Sequence, residues 1–194
     1  ETLRVFVRFC EGIDAVSSGL HQSMLMPLLS RSDEQREEIL YADAATELLS
    51  YLRQFEYASR THAVLETLWH TGIRIGGLRA LDVRDHHSKD EYLELHHRPE
   101  YGTPLKNGLD GERLVALSPY VSDVLTDWTS VQRPDVVDEF EREPLFATSN
   151  GRIAKSTIRE IVYKATRPCF YTEECPHGRE IETCEATDYG RYSK

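Results

Sequence analysis

The sequence predicts a mainly helical α+β fold that contains one small antiparallel sheet. Apolar residues recur at helical spacing over much of the chain, most clearly in residues 42–55 and 59–70. Two alternating runs, "DEYLELHHR" at 90–98 and "GERLVALS" at 111–118, are separated by a turn-rich link and predict a β-hairpin or meander. A strand pair between two groups of helices is typical of an α+β domain, and 194 residues allow one large domain, or one domain with part of another.

The chain begins with a stretch, residues 2–16, whose apolar residues predict a mostly buried helix. Gly19 is the expected cap of its C-terminal end, because glycine adopts the left-handed conformation at little cost. The next stretch is charged, contains Pro27 and lacks an apolar stripe. It predicts a linker over residues 23–41.

Two helices are then predicted, over 42–55 and 59–70, and the second carries the clearest set of core positions. These core positions are Val64, Leu65, Leu68 and Trp69. Gly72 lies just past the end of this helix, the usual place of a left-handed cap. A short helix should follow at once, with three residues turned inward: Ile75, Leu78 and Leu81.

The second half of the chain continues with helices after the two strands. Pro119 is suited to the first turn of a helix over 120–132, since proline has no N–H to leave unpaired there. The segment "REPLFATSNGR" predicts a short extended piece and a turn, and "AKSTIREIVYKAT" predicts a further helix. Little periodicity remains from Arg167 onward.

The formal charge of −10 by itself argues against a nucleic-acid partner, because such proteins usually carry a basic surplus. However, the chain has 18 Arg, only 5 Lys and 33 acidic residues, a balance that indicates a salt-adapted proteome. In molar salt the Debye length falls to about 3 Å, so the local placement of arginines says more than net charge does.

No apolar run approaches the roughly 20 residues that a membrane-spanning helix requires. The chain opens with Glu1 and has neither a basic nor an apolar leader segment. We therefore expect a cytoplasmic protein without a membrane partner. Because the sequence starts inside a predicted helix and lacks an initiator Met, we also expect it to be a piece of a longer protein.

Several features follow one another in an order that suggests chemistry. A helix ends at Thr71-Gly72, Arg74 follows, Lys106 lies in the link between the strands, and "PLFATSNGR" comes after the next helix. The stretch "TGIRIGGLRALD" is similar to a box of the tyrosine recombinase (phage integrase) family: Thr-Gly, an apolar residue, Arg, then x-x-Glu-Leu-x-x-Leu. Residues 42–165 thus resemble the N-terminal half of that family's catalytic domain, and in particular its archaeal members.

The resemblance implies the fold of a DNA breaking-rejoining catalytic core. It implies that residues 1–22 form the C-terminal helix of an α-helical core-binding domain. Residues 42–194 would form the N-terminal part of the catalytic domain, with a cysteine-rich insertion at 167–194. The implied activity is site-specific recombination or integration of double-stranded DNA through a phosphotyrosine intermediate. The family works as a homo-oligomer on DNA and needs no cofactor for this reaction.

Two catalytic residues are implied by position in this pattern. Arg74 matches the family's first catalytic arginine, and a guanidinium can bind two oxygens of a phosphate and stabilise the charge of the transition state. Lys106 matches the hairpin lysine, which in the family acts as general acid toward the leaving 5′ oxygen. Glycine at 77 replaces the family's usual carboxylate, and the segment between Lys106 and Arg113 is longer than the common pattern.

The second half of the family's site is missing from this sequence. No histidine is followed three residues later by arginine, and Tyr189 and Tyr192 precede the place where that box should lie, so neither is assigned as nucleophile. Because a covalent step needs its nucleophile, we expect the chain alone not to cut DNA.

A cysteine-rich segment close to the end of the chain predicts a structural zinc site. Its four candidate ligands are Cys169, Cys175, His177 and Cys184. Three cysteines and a histidine in a short loop-rich stretch of a cytoplasmic protein favour zinc over disulfides, although the spacing is not that of a standard finger. Free thiols and a disulfide stay open as alternatives, as does a later cysteine in place of His177.

Other polar residues have structural explanations beside functional ones. The two histidine pairs at 86–87 and 96–97 are expected to be exposed at a strand edge, with a metal site as the alternative. Arg79 is expected to form a surface contact or ion pair, with a DNA phosphate as the alternative. For the whole chain, two other functions stay open: a non-catalytic DNA-binding relative, and a zinc-stabilised interaction module.

Overall fold

Two short helices make up the described part of the first structural unit, residues 1–39. The computed structural model describes residues 2–25, 40–172, 174–175 and 178–181. Helix α1 spans Thr2–Gly12 and helix α2 spans Leu20–Ser23. The second unit, residues 40–194, is separate and is described by itself below.

Helix α1 differs from its prediction in length and in burial. It ends at Gly12, and Gly19 takes the left-handed conformation (φ 86°) as the N-cap of α2 rather than as a C-cap of α1. None of its residues is buried, and large apolar side chains such as Phe6 and Phe9 are exposed. The described part of this unit is two short helices, which offer little surface to bury an apolar face.

The second unit contains six α-helices within its described residues. They are α3 (Ala42–Phe55), α4 (Arg60–Thr71), α5 (Ile75–Ala80), α6 (Pro119–Asp127), α7 (Lys155–Ala165) and α8 (Pro168–Tyr171). The predicted bounds of α3 and α4 are confirmed to within a residue, and Ser59 caps α4 by accepting a hydrogen bond from the backbone N–H of His62 at 3.1 Å. None of the described helices is long and apolar enough to cross a membrane.

The sheet between these helices has three antiparallel strands in the order β1-β2-β3. Strand β1 is His86–His87, β2 is Tyr92–Leu95 and β3 is Arg113–Ala116. Leu93 pairs with Val115 and Leu95 with Arg113, so the predicted hairpin is confirmed and gains a short extra strand. A second small hairpin joins β4 (Ala147–Thr148) to β5 (Gly151–Arg152), where the sequence predicted an extended piece and a turn.

The larger of two apolar clusters among the described residues lies between the sheet and the helices; the smaller includes Leu48, Leu52 and Leu65. The fully buried members of the larger cluster include Val64 of α4, Leu78 of α5, Leu93 of β2 and Ile158 of α7. Trp69 was predicted to be a core residue but is 48% exposed, because it lies on the opposite side of α4 from Val64. The inward placement of Leu78 and Leu81 is confirmed.

The helix predicted over 120–132 is interrupted near its middle. Helix α6 ends at Asp127, and Trp128–Gln132 forms a wider π-type turn. Trp128 is 2% exposed at this point, and its indole N–H donates to the carbonyl oxygen of Leu145 at 2.8 Å. The wider turn directs the indole into the core, where a buried N–H needs a partner.

Candidate active site

Arg74 stands at the junction of two helices, and the glycine before it makes this junction sharp. Gly72 ends α4 in the left-handed conformation (φ 60°), as predicted, and its N–H donates to the carbonyl oxygen of Leu68. Ile73 is then buried, and Arg74 has an extended backbone as the N-cap of α5. Its carbonyl oxygen accepts hydrogen bonds from Gly77 and Leu78, while its side chain is exposed. The junction therefore fixes the backbone of Arg74 and leaves the guanidinium accessible.

Lys106 lies in the link between β2 and β3. The neighbouring Leu105 is buried, and its N–H donates to Nδ1 of His97 at 3.0 Å. Gly111 packs closely against the same leucine, since an added Cβ would lie 3.2 Å from the Cβ of Leu105. The lysine side chain itself is exposed. Contacts of Leu105 therefore hold the backbone of the link next to Lys106, and the lysine side chain is accessible to solvent.

These two residues line one open cleft of about 420 Å³. The cleft lies between α5, the link between β2 and β3, and the start of α7. The structure therefore brings together Arg74 and Lys106, which are 32 positions apart in the sequence.

Three further cations line the same cleft, and the sequence reasoning did not single them out. They are Arg113 of β3 and Lys155 and Arg159 of α7. Lys155 and Arg159 are four residues apart in a helix whose Ile158 is buried, so both project from one exposed face. This i, i+4 spacing was the available signal, but it points to a cleft only when α7 is known to pack against α5.

The cleft is strongly basic even though the chain as a whole is acidic. Among the described residues, its lining includes five cationic side chains and no carboxylate. In the part of the chain that the structure describes, none of the five forms an ion pair. We call this set, Arg74, Lys106, Arg113, Lys155 and Arg159, the basic cleft. Unneutralised cations that share a concave surface favour an anionic ligand.

A second group of charges does not line the cleft and is largely buried and paired. Asp82 is 2% exposed, and its two carboxylate oxygens accept hydrogen bonds from Arg142, Arg152 and Arg98 at 2.6–3.2 Å. Arg98 also binds Asp85 through two hydrogen bonds of 2.8 Å each. Arg152 donates to Asp138 as well. We call these residues the ion-pair cluster: Asp82, Asp85, Asp138, Arg98, Arg142 and Arg152.

The ion-pair cluster holds together the segments on which the basic cleft is built. Arg152 donates to the carbonyl oxygens of Arg79 and Leu81 at the end of α5, and Arg142 donates to the hydroxyl of Thr103 at 3.0 Å. The end of α5 and the link that carries Lys106 are thus bound to one set of charges. The sequence carries no local signal for this cluster, because its six members are scattered from residue 82 to residue 152.

The pKa values of Asp85, in the cluster, and of the adjacent His86 are both shifted. Burial raises the pKa of Asp85, but hydrogen bonds from Arg98 and from the N–H of Asp82 outweigh burial, so the pKa lies below its ordinary value. Burial lowers the pKa of His86 to about 4, and the neighbouring His87 adds to this effect. Nε2 of His86 lies 3.0 Å from the hydroxyl oxygen of Ser122.

The remaining polar residues singled out in the sequence lie outside the basic cleft. All four histidines at 86, 87, 96 and 97 are half-buried rather than exposed, because they pack among the strands and the link. Arg79 is also half-buried and donates to the carbonyl oxygen of Gly102 at 2.7 Å. Among the described residues Arg79 forms no ion pair, and contact with a DNA phosphate stays a prediction.

The predicted zinc ligands are only partly within the described residues. Cys169 and Cys175 are half-buried, whereas His177 and Cys184 lie outside the described residues. Across 2–25, 40–172, 174–175 and 178–181, no group of three histidine, cysteine or carboxylate side chains is arranged to hold a metal ion. The zinc site stays a prediction.

Solved structures with a similar fold come from DNA recombinases. XerA recombinase matches with a TM-score of 0.53 and 19% identity over 81% of this chain and 49% of its own length. The Tn1549 transposon integrase matches in complex with circular intermediate DNA (TM-score 0.58, 15% identity, 89% of this chain, 58% of that one). The same integrase in complex with transposon right end DNA matches with a TM-score of 0.59 and 14% identity, over 92% of this chain and 57% of that one. The chain spans about half to three-fifths of these proteins.

The family assignment comes from the sequence. The profile of the phage integrase family matches residues 38–174, which is most of the chain. The protein belongs to this family, the family of the tyrosine recombinases, and its mainly helical fold with small antiparallel sheets is that of their catalytic domains. A search of curated proteins gives no significant match.

Proposed function

We propose that the protein from which this chain comes performs site-specific recombination or integration of double-stranded DNA, by cleaving and rejoining strands through a phosphotyrosine intermediate. In this proposal the basic cleft binds the DNA phosphate. One observation carries it: Arg74 and Lys106, which the family pattern implies as catalytic, line one cleft whose five cations form no ion pair within the described residues, although the chain as a whole is acidic.

The chemistry of the two residues suits their proposed roles. Arg74 would hold two non-bridging oxygens of the phosphate and stabilise the negative charge that grows as the tyrosine attacks. Lys106, exposed next to an anchored leucine, would donate a proton to the 5′ oxygen that leaves. Neither role requires a cofactor.

The cleavage step also needs groups that this sequence does not provide. A nucleophilic tyrosine and a second arginine in a His-x-x-Arg box would complete the site. We therefore propose that the 194-residue chain binds DNA but does not cut it. On the family resemblance, we also propose that the protein assembles as a homo-oligomer on DNA. We propose a structural zinc ion at the cysteine-rich segment, and a halophilic archaeal source on the composition.

The test is duplex DNA binding by this chain over a series of salt concentrations, with Arg74→Ala beside wild type. Loss of a charge-assisted contact worth about 1.5 kcal/mol or more should raise Kd at least about tenfold. A plot of log binding constant against log salt concentration has a negative slope, and this slope should become less steep by about one. We call its magnitude the salt slope. Lys89→Ala is the control, because Lys89 is exposed, lies outside the cleft and forms no ion pair within the described residues.

The two alternative functions are separated by further measurements. A non-catalytic DNA-binding relative would bind DNA in the same way, but a protein that contains an intact tyrosine would then fail to cleave a DNA substrate. Binding that is absent, or equal in wild type and Arg74→Ala, would contradict the proposal. Unfolding on chelation would in that case favour a zinc-stabilised module.

A further inference from the structure

The end of the Lys155 side chain lies against the helix that begins after Arg74. A Cβ added to Gly76 would be 3.7 Å from Cε of Lys155 and 3.8 Å from its Nζ. The ammonium thus lies over a residue without a side chain, two positions beyond Arg74. A side chain longer than alanine at position 76 would compete with the lysine for this space.

This position is electrostatically unfavourable in the absence of a ligand. Lys155 shares the cleft with four other cations, and within the described residues it forms no ion pair. A lysine at an exposed first turn of a helix could extend into water, away from Arg74 and from the positive end of the helix dipole. Its position over Gly76 instead places a compact ammonium charge on the same side of the cleft as the guanidinium of Arg74.

We propose that Lys155 is a further phosphate-binding residue, and that it binds the same DNA phosphate as Arg74. This inference rests on the proposed function of the basic cleft. Lys155 approaches from α7, whereas Lys106 approaches from the link between β2 and β3, so the phosphate is held from two sides. Gly76 is the residue that makes room for this contact.

Four variants of the 194-residue chain test the inference in the same DNA-binding assay. Lys155→Gln should raise Kd about tenfold and lower the salt slope by about one, whereas Lys155→Arg should keep the slope. Lys164→Gln is the matched control, an exposed lysine of the same helix outside the cleft. Gly76→Leu should reproduce the loss although every charge is kept, and thermal unfolding confirms that each variant folds.

A double-variant cycle tests whether the two residues share one phosphate. If they do, Lys155→Gln should weaken binding several-fold less in the Arg74→Ala background than in wild type. Additive effects would overturn the shared phosphate, and a Lys155→Gln that binds like wild type would overturn the inference altogether. Failure of the proposed function is distinguishable, since Arg74→Ala would then also bind like wild type.

Discussion

The basic cleft and the ion-pair cluster use similar residues, but the surroundings of these residues differ. In the cluster, three arginines face three aspartates, and Asp82 alone accepts hydrogen bonds from all three guanidinium groups. In the cleft, five cations line an open surface, and no carboxylate lies among the described residues of its lining. A paired and buried arginine holds segments of the fold together, whereas an accessible one without an ion pair is available to a ligand. Charge pairing, more than residue type, separates the arginines of the cluster from those proposed to bind a ligand.

The largest effect is expected where the cluster loses its central anion. Among the described residues, Asp82→Asn would leave the guanidinium of Arg142 without a carboxylate partner, while Arg98 and Arg152 would keep Asp85 and Asp138. We expect a cost of about 3–5 kcal/mol in the free energy of unfolding. Urea denaturation measures this change. Asp90→Asn, at an exposed aspartate, serves as control. A loss below about 1 kcal/mol would show that the cluster is not the support inferred here.

A pair of arginine variants should give opposite results in two assays. Arg152→Met removes a cluster residue whose side chain is 4% exposed, and should lower stability by about 3 kcal/mol. Arg159→Met should change stability by no more than about 0.5 kcal/mol, but should lower the salt slope of DNA binding by about one. Equal losses of stability in the two variants would erase the distinction between the cluster and the cleft.

The smallest effect concerns the response of stability to pH. It arises at His86, whose folded pKa of about 4 lies below the ordinary value of 6.5. The unfolded chain therefore takes up a proton first as pH falls. Stability should be full above pH 6.5 and decline between pH 6.5 and 4, by on the order of 1–2 kcal/mol after allowance for partial exposure.

Thermal unfolding at several pH values checks this expectation. His86→Gln, which can keep a hydrogen bond to Ser122, should flatten the decline between pH 6.5 and 4. An unchanged decline in this variant would assign the pH response to another group.

The sequence was sufficient for the elements whose signals are local. Gly72 could be placed as a left-handed cap, and α3 could be bounded, because capping and helical periodicity act within a few residues. The order of Arg74, Lys106 and the strand pair was sufficient for the family. Burial was less predictable, as Trp69 and α1 show, since exposure depends on which face meets a neighbouring element.

Only the tertiary structure decided which charges meet. Lys155 reaches Gly76, and Arg152 reaches Asp82, across 70 or more residues of sequence, and neither pair has a local signal. Electrostatic and hydrogen-bonding interactions depend on distance in space, and the packing of α5 against α7 sets those distances. The sequence by itself determined the helices, the strand pair and the family. The fold determined which arginines and lysines of the described residues form ion pairs and which line the cleft without one.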